Sequence, residues 1–277
     1  MKQKVSVVLN RNLSKEMMAH AKKAISTLEA HDVHVDSSET INGARDADLI
    51  LVMGGDGTML RGAELGRAVD VPVLGINYGH MGFLSEADPD DINNVVERIV
   101  AKNWTINERM TIDITVFRPD GSKDQQWALN EASVEKVFNS RMLETSIWVD
   151  GRELSSFKAD CVLFSTPTGS TAYSFSAGGP IVWPEVQAML LVPVSAHALF
   201  TRPLVVSSDS VLEVRILHED AMMWCDGRRK VFAPAGSIIR AVKGERTIKL
   251  AGLNNMPFSE RLVNKFHLPV KGWRDAK

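Results

Sequence analysis

The chain has 277 residues, of which 44% are hydrophobic and 24% are charged, so it can bury one large core or two smaller ones. Its formal net charge of −2, without a long block of Lys or Arg, excludes a general attraction to nucleic acid or to anionic lipid. Its N-terminal apolar run is too short for a signal peptide or a membrane span. We therefore expect a cytoplasmic protein with neither a nucleic-acid nor a membrane partner.

Apolar runs alternate with helix-period segments through the first hundred residues. The pattern predicts strands at residues 5–9, 33–35, 49–53 and 71–77. It predicts helices at about 14–30, 58–69 and 90–101, the first of them capped by Ser14. Strands that alternate with helices favour a parallel sheet covered on both faces.

The second half of the chain has a different pattern. It is rich in β-branched and alternating segments, and its Asp-Gly pairs at 120–121 and 150–151 are typical of hairpins. We therefore predict an α/β domain with a parallel sheet over residues 1–105 and a mostly-β, sandwich-like domain over 106–257. The tail, residues 258–277, is expected to form a short helix that packs back on the first domain.

The segment MGGDGTML, residues 53–60, lies where a predicted strand meets a predicted helix. It fits neither the dinucleotide fingerprint, because Leu60 occupies the last glycine position, nor the Walker pattern, because no Gly-Lys-Ser/Thr follows. The glycines alone could simply permit a tight turn. A helix N-terminus also favours an ionised carboxylate, so Asp56 can accept a proton while neighbouring amides hold a phosphate. This combination suits phosphoryl transfer to an alcohol, with a phosphate-binding turn made by Gly54, Gly55, Gly57 and Thr58.

A second unusual segment, FSTPTGSTAYSFSAGGP at residues 164–180, is rich in Ser, Thr, Gly and Pro. Its hydroxyls and amides could line a polar ligand pocket, to which Tyr173 would add an aromatic face. A structural Ω-type loop is the alternative.

Several single residues are weak signals by themselves. The pair Asn130-Glu131 is typical of a solvated strand edge, and isolated charges such as Arg141, Lys158 and Asp160 are typical of surface pairs. His197 lacks an accompanying nucleophile elbow, so we interpret it as a structural histidine rather than a hydrolase base.

The cysteines Cys161 and Cys225 lack a CxxC partner and a histidine at metal-ligand spacing. We expect buried free thiols, and neither a zinc site nor a disulfide framework.

Taken together and in this order, the motifs GGDGT, NEASV and STPTGSTAYSFSAGGP resemble the NAD kinase family. The stretches GINYGHMGFLSE (75–86) and CDGR (225–228) are also similar to its bacterial members, and the resemblance runs from about residue 48 to residue 240. The GGDGT motif is shared with diacylglycerol, sphingosine and phosphofructokinase-type kinases, whereas TPTGSTAYS narrows the match to NAD kinases.

The resemblance implies a fold of the NAD kinase/diacylglycerol kinase type and transfer of the γ-phosphoryl of ATP to the 2′-hydroxyl of the adenosine ribose of NAD. It implies that Asp56 is the general base, that Asn130 and Glu131 bind ribose hydroxyls, and that Asp160 meets the nicotinamide amide. The full set of NAD-binding residues that it implies is Asp56, Gly57, Arg61, Asn130, Glu131, Arg141, Lys158, Asp160, Thr171, Ala172, Tyr173, Ser174, Phe175, Ser176 and Arg228.

The same resemblance implies a divalent ion, Mg²⁺, that arrives with ATP, and a homodimer or homotetramer. Two other functions share some of these features. A lipid kinase would use the same GGDGT turn but would need an apolar channel or a basic membrane-facing patch. A non-catalytic dinucleotide-binding regulator would keep the pocket without needing Asp56.

Overall fold

The computed structural model describes residues 2–77, 82–85, 92–137, 142–199, 201–253 and 256–269. The chain forms two compact units. One runs to Glu108 and includes the chain again from Ile248 onward, and the other spans Arg109–Thr247.

The first unit contains a six-stranded sheet in the order β2-β1-β3-β4-β18-β5. Its strands are β1 (Lys4–Leu9), β2 (His34–Asp36), β3 (Leu49–Met53), β4 (Val73–Ile76), β5 (Thr105–Arg109) and β18 (Ile248–Gly252). The pairs that join β2, β1, β3, β4 and β18 are all parallel. Every residue of β3 is buried, which requires cover on both faces of the sheet, as the alternating pattern predicted.

The helices of this unit are α1 (Lys15–Ala30), α2 (Ile41–Ala44), α3 (Asp56–Val69), α4 (Ile92–Val100) and α6 (Phe258–Phe266). The Ser14 hydroxyl accepts a hydrogen bond from the Met17 amide, which confirms the predicted cap of α1. Helix α3 begins two residues earlier than predicted, and the predicted helix in the tail is confirmed as α6.

The strand β18 lies in the first unit, whereas we predicted that residues 106–257 would all belong to the β-rich domain. Its apolar residues look like those of any other strand, but Leu250 pairs in parallel with Val73 of β4. The chain therefore returns to the first sheet before it forms α6.

The second unit contains two antiparallel six-stranded sheets. Their orders are β10-β9-β14-β17-β6-β7 and β13-β12-β11-β8-β15-β16. The strands of the first sheet are β6 (Ile112–Phe117), β7 (Lys123–Ala128), β9 (Leu143–Val149), β10 (Arg152–Ala159), β14 (Leu212–Ile216) and β17 (Ile238–Lys243). Those of the second are β8 (Glu131–Lys136), β11 (Cys161–Ser165), β12 (Ala188–Val194), β13 (Leu204–Ser207), β15 (Ala221–Cys225) and β16 (Arg229–Ala233).

One apolar core takes side chains from both of these sheets, for example Ile114 and Val214 from the first and Val134 and Phe164 from the second. Two sheets that share a core in this way form a sandwich, which confirms the predicted fold class. Both predicted Asp-Gly hairpins are also confirmed, because β6 pairs with β7 and β9 pairs with β10 in antiparallel register. No helix in the described part of the chain is long and apolar enough to cross a membrane.

Candidate active site

The glycine turn joins the carboxyl end of β3 to the first residue of α3, which is Asp56. Gly54 has a φ of 154°, and a Cβ atom there would lie 2.6 Å from the Thr58 hydroxyl oxygen, so the turn requires glycine at this position. Gly55 precedes the helix as its N-cap, and the Thr58 amide donates to the Gly55 carbonyl at 2.9 Å. The half-buried carboxylate of Asp56 thus lies at a helix N-terminus, where the backbone favours negative charge.

Residues 82–85 approach the Asp56 carboxylate closely. The amides of Phe83 and Leu84 donate to its two oxygens, each across 3.4 Å. A Cβ atom on Gly82 would lie 2.2 Å from Asp56 Oδ1, so this close approach needs a glycine. The sequence singled out GINYGHMGFLSE only as similar to a family; it did not indicate that its GFL residues meet the acid.

Arg61, on α3, is bound within the first unit. Its guanidinium donates to the Leu9 carbonyl at 2.9 Å and forms an ion pair with Glu39 at 2.5 Å, and Glu39 in turn accepts from the Leu9 amide. Arg61 therefore fixes the carboxyl end of β1, a role that the sequence did not suggest.

In the second unit, a turn at Leu129 and Asn130 separates β7 from β8. The amides of both residues donate to the Asp226 carboxylate, at 3.0 Å and 2.8 Å respectively. From the end of β11, the Thr166 hydroxyl donates to the Leu129 carbonyl at 2.5 Å, and the Thr166 amide donates to the Asn130 carbonyl at 2.9 Å. The turn is thus fixed from two sides by the ends of β15 and β11.

Two buried carboxyl groups lie beside this turn, and their environments differ. Asp226 forms an ion pair with Arg229 at 2.7 Å in addition to its amide donors. Burial raises the pKa of Asp226, whereas the amide donors and Arg229 oppose that rise. Burial and, secondarily, the charge of Asp226 raise the pKa of Glu131 to about 8. The Tyr173 amide donates to the Glu131 carboxyl group and opposes part of this rise. Glu131 therefore carries a proton at neutral pH.

Three polar atoms of the second unit, two of them on residues 130 and 131, are buried without a hydrogen-bond partner among the described residues. They are Oδ1 of Asn130, Oε2 of Glu131 and the hydroxyl of Ser174, in side chains whose residues are 8%, 9% and 0% exposed. Buried polar atoms in proteins almost always have partners, so such a group indicates a place where a polar ligand or ordered water completes the bonding.

The hydroxyl-rich segment packs against the same turn. It forms a 3₁₀ turn, Thr168–Thr171, followed by the short helix α5 (Tyr173–Ser176). A Cβ atom on Gly169 would lie 2.0 Å from the Asn130 carbonyl oxygen, so only glycine fits there. This arrangement brings the Tyr173 amide to Glu131. It also contains the other residues predicted in the segment, Thr171, Ala172, Phe175 and Ser176.

The remaining predicted residues of the second unit lie in more exposed positions. Lys158 forms an ion pair with Glu144 at 3.5 Å, and its side chain is 59% exposed. Asp160 pairs with Lys136 at 2.7 Å, and the hydrogen bond from Lys136 lowers the pKa of Asp160.

Arg228 lies in the turn after β15, where its amide donates to the Cys225 carbonyl at 3.0 Å. Arg141 lies outside the described residues. His197 forms an isolated bridge with Lys158 through the backbone.

The two cysteines are confirmed as buried free thiols. Burial raises the pKa of both, to about 12 for Cys225, so neither is a reactive thiolate at neutral pH. Within the described ranges, no group of three His, Cys, Asp or Glu side chains is arranged to hold a metal ion.

Comparison with known proteins identifies the family. The chain matches the model of the ATP-NAD kinase N-terminal domain over residues 1–104 and that of the ATP-NAD kinase C-terminal domain over residues 129–253. The chain belongs to the ATP-NAD kinase family. It is 52% identical to NAD kinase 2 of Streptomyces coelicolor over 231 aligned residues. The aligned region covers 83% of this chain and 77% of that protein. It is 47% identical to the NAD kinase of Leifsonia xyli subsp. xyli over 270 aligned residues, which are 96% of this chain and 86% of that protein.

Solved structures agree with this assignment. An NAD kinase from Archaeoglobus fulgidus, crystallised in complex with ATP, has a TM-score of 0.76 and 27% identity over 96% of this chain and 99% of that one. Yeast NADH kinase, crystallised with NADH, shares the fold with a TM-score of 0.87 at 21% sequence identity. The superposition covers 98% of this chain and 89% of the yeast chain. Membership in the ATP-NAD kinase family confirms the resemblance drawn from the motifs and favours neither the lipid kinase nor the non-catalytic regulator.

Proposed function

We propose that this chain is an NAD kinase that forms NADP and ADP from NAD and ATP. The observation that carries the proposal is the group of buried, unpartnered polar atoms of Asn130, Glu131 and Ser174, which occurs in a chain of the ATP-NAD kinase family. In the reaction, the 2′-oxygen of the adenosine ribose loses its proton and bonds to the γ-phosphorus. The bond from that phosphorus to the β,γ-bridging oxygen breaks, and ADP leaves.

In the first unit, Asp56 is the general base. Its carboxylate contacts two amides and stays half-buried, so it can still accept a proton from a hydroxyl. The turn of Gly54, Gly55, Gly57 and Thr58 holds phosphate oxygens at the N-terminus of α3. The Gly54 and Thr58 amides already donate to the Ile76 and Gly55 carbonyls, so the amides of Gly55 and Gly57 are the donors to phosphate. Arg61 already forms an ion pair with Glu39. It therefore contributes to NAD binding either by holding the carboxyl end of β1 in place or by donating to NAD while it keeps the bond to Glu39.

In the second unit, Asn130 and Glu131 bind ribose hydroxyls. Oδ1 of Asn130 can accept from a hydroxyl, and the protonated carboxyl of Glu131 can both donate and accept. The residues from Thr171 to Ser176 form the wall of the adenosine pocket, and Asp160, held ionised by Lys136, accepts from the nicotinamide amide. Arg141, Lys158 and Arg228 supply positive charge for the phosphates of NAD.

An ATP-dependent kinase requires a divalent cation, and we propose Mg²⁺ for this chain. Mg²⁺ is usually held by substrate phosphates, waters and one or two carboxylates rather than by an all-protein cage. The described residues fit that mode, since Asp56 is the acid beside the phosphate-binding turn. When bound, the ion neutralises negative charge on the phosphates.

We also propose a cytoplasmic homodimer or homotetramer. The second unit exposes large apolar side chains, among them Leu154, Val186 and Val205, which a subunit contact would cover. Light scattering coupled to size-exclusion chromatography measures the number of subunits directly. A monomer at micromolar concentration would contradict this part of the proposal.

The activity is tested by incubating the full chain with ATP, Mg²⁺ and NAD and detecting NADP with an NADP-specific dehydrogenase. We expect NADP to form, and we expect none when NAD or ATP is omitted. Parallel reactions with NADH in place of NAD and with polyphosphate in place of ATP define the two substrates further. The absence of product with every donor and metal would refute the proposed function.

A further inference from the structure

The contact between Asp56 and the backbone of residues 82–85 raises the question of what holds that backbone in place. The two amides that reach Asp56 belong to Phe83 and Leu84, and Gly82 lies close enough to exclude any Cβ atom. Leu84 and Ser85 are only 5% and 3% exposed. The segment is therefore packed against other parts of the first unit.

The C-terminal helix α6 supplies part of this packing at both ends of the segment. At one end, the ring of Phe83 packs against the rings of Phe258 and Phe266 of α6, with centroid separations of 6.0 Å and 5.7 Å. At the other end, Nη1 of Arg261 donates to the Ser85 carbonyl at 3.0 Å, although the two residues are 176 positions apart. Arg261 is itself buried, at 7% exposure, so its bonds are shielded from competing water.

We propose that Arg261 and Phe266 are positioning residues for Asp56 and act through the segment 82–85. The proposal rests on the proposed function, in which Asp56 is the general base. Two amide donors orient a carboxylate, and their own position depends on the Phe83 ring and the Ser85 carbonyl. A displacement of about 1 Å at a catalytic group can lower the rate on the order of 10²-fold, so a loosened segment reduces turnover.

The position of this contact predicts a specific kinetic signature. The segment contacts the carboxylate of Asp56, whereas the turn at Asn130 is held by Asp226 and Thr166 of its own unit. A change in α6 should therefore lower kcat and leave the KM for NAD unchanged within about two-fold. A general loss of folding would instead lower the amount of active enzyme and its thermal stability together.

Two substitutions on the full chain test the proposal. Arg261→Met keeps the aliphatic stem but removes the donor to Ser85, and Phe266→Leu keeps an apolar side chain but removes the ring that packs against Phe83. We expect each to lower kcat by about ten-fold or more, with the KM for NAD nearly constant. Arg261→Lys should recover part of the loss, since its ammonium group can again donate to a carbonyl. Ser259→Ala, at an exposed position of the same helix, is the matched control and should leave kcat unchanged.

Hydrogen exchange provides a readout that does not depend on turnover. We expect the amides of Phe83 and Leu84 to exchange faster in Phe266→Leu than in the unmodified chain, while amides in β3 keep their protection. This measurement also decides the matter if Arg261→Met does not fold.

The outcomes distinguish the positioning role of α6 from the assignment of Asp56 as the general base. If Phe266→Leu keeps both normal kcat and normal exchange at residues 83 and 84 while Asp56→Asn is inactive, the positioning role is wrong and the base assignment stands. A nearly active Asp56→Asn enzyme would overturn the base itself.

Discussion

The turn at Asp56 and the turn at Asn130 both follow a strand and both carry acidic side chains, but they are built in different ways. Asp56 is half-buried, and the described backbone reaches its carboxylate only through contacts of 3.4 Å. The turn at Asn130 is instead fixed by short bonds of 2.5–3.0 Å to Asp226 and Thr166, and Glu131 beside it is buried and protonated.

This difference separates a group that can react from a group that can bind. A base needs an oxygen that is free to take a proton, whereas a binding turn gains from rigidity because little ordering remains to be done when the ligand arrives. Changes at the first turn should therefore alter kcat, and changes at the second should alter the affinity for NAD.

The largest effect is expected from Asp56→Asn. The amide keeps the shape of the side chain but cannot act as the base, so kcat should fall by about 10²–10⁴-fold while the dissociation constant for NAD stays within about two-fold. Steady-state kinetics and calorimetric titration measure the two quantities. Asp46→Asn is a matched control at an exposed aspartate of the same unit, and it should change neither. A comparable loss of NAD affinity in Asp56→Asn would break the distinction between the two turns.

The next effect is expected from Gly169→Ala, which tests the second turn. The new Cβ would lie 2.0 Å from the Asn130 carbonyl oxygen, so the backbone must move and the ribose-binding groups move with it. We expect the dissociation constant for NAD to rise by about ten-fold or more, which corresponds to about 1.4 kcal/mol.

Gly43→Ala is the matched control for Gly169→Ala. Its Cβ would collide with the Asp36 and Ser38 side chains in the first unit, so the midpoint of thermal unfolding should fall without a change in NAD affinity. Equal NAD affinities for Gly169→Ala and the unmodified chain would contradict the role of this contact.

A pH dependence of stability distinguishes the buried Glu131 from an exposed carboxylate. Its pKa rises from 4.5 to about 8 on folding, so between these values the folded chain holds a proton that the unfolded chain has lost. The stability that this group contributes is fully present below pH 4.5 and is lost as the pH rises through 8. The glutamine in Glu131→Gln does not titrate, so this variant does not lose that contribution as the pH rises. The difference between its midpoint of thermal unfolding and that of the unmodified chain should therefore increase by several degrees, in favour of the variant, from pH 5 to pH 9.

Glu153→Gln, at an exposed position of the same unit, is the control for this measurement. Its midpoint should follow that of the unmodified chain across the whole range. Parallel curves for Glu131→Gln and the unmodified chain would show that Glu131 is ionised at neutral pH.

The smallest effect on stability is expected from Lys158→Met. The side chain is 59% exposed and its ion pair with Glu144 spans 3.5 Å, so the free energy of unfolding should change by less than about 1 kcal/mol. If Lys158 binds a phosphate of NAD, the KM for NAD should nevertheless rise several-fold. Denaturant unfolding and steady-state kinetics separate these quantities, and an unchanged KM would remove Lys158 from the NAD site.

Much of this molecule is determined by local sequence. Alternating apolar runs specify the strands of the parallel sheet, and Asp-Gly pairs specify two hairpins of the sandwich. Three glycines around one acid specify a strand, a turn and a helix that begins at Asp56. These features depend on backbone geometry within a few residues, and the family motifs could be recognised for the same reason.

Tertiary structure alone decided which distant residues meet. Asp56 meets the amides of residues 27 and 28 positions away, Asn130 meets Asp226 across 96 positions, and Arg261 meets Ser85 across 176. Burial also gave Glu131 its proton, since the pKa of a carboxyl group depends on the charges and solvent around it and not on its neighbours in sequence. The sequence identifies the acids, but the packing of the sheets buries Glu131, and the packing of α6 holds the backbone that contacts Asp56.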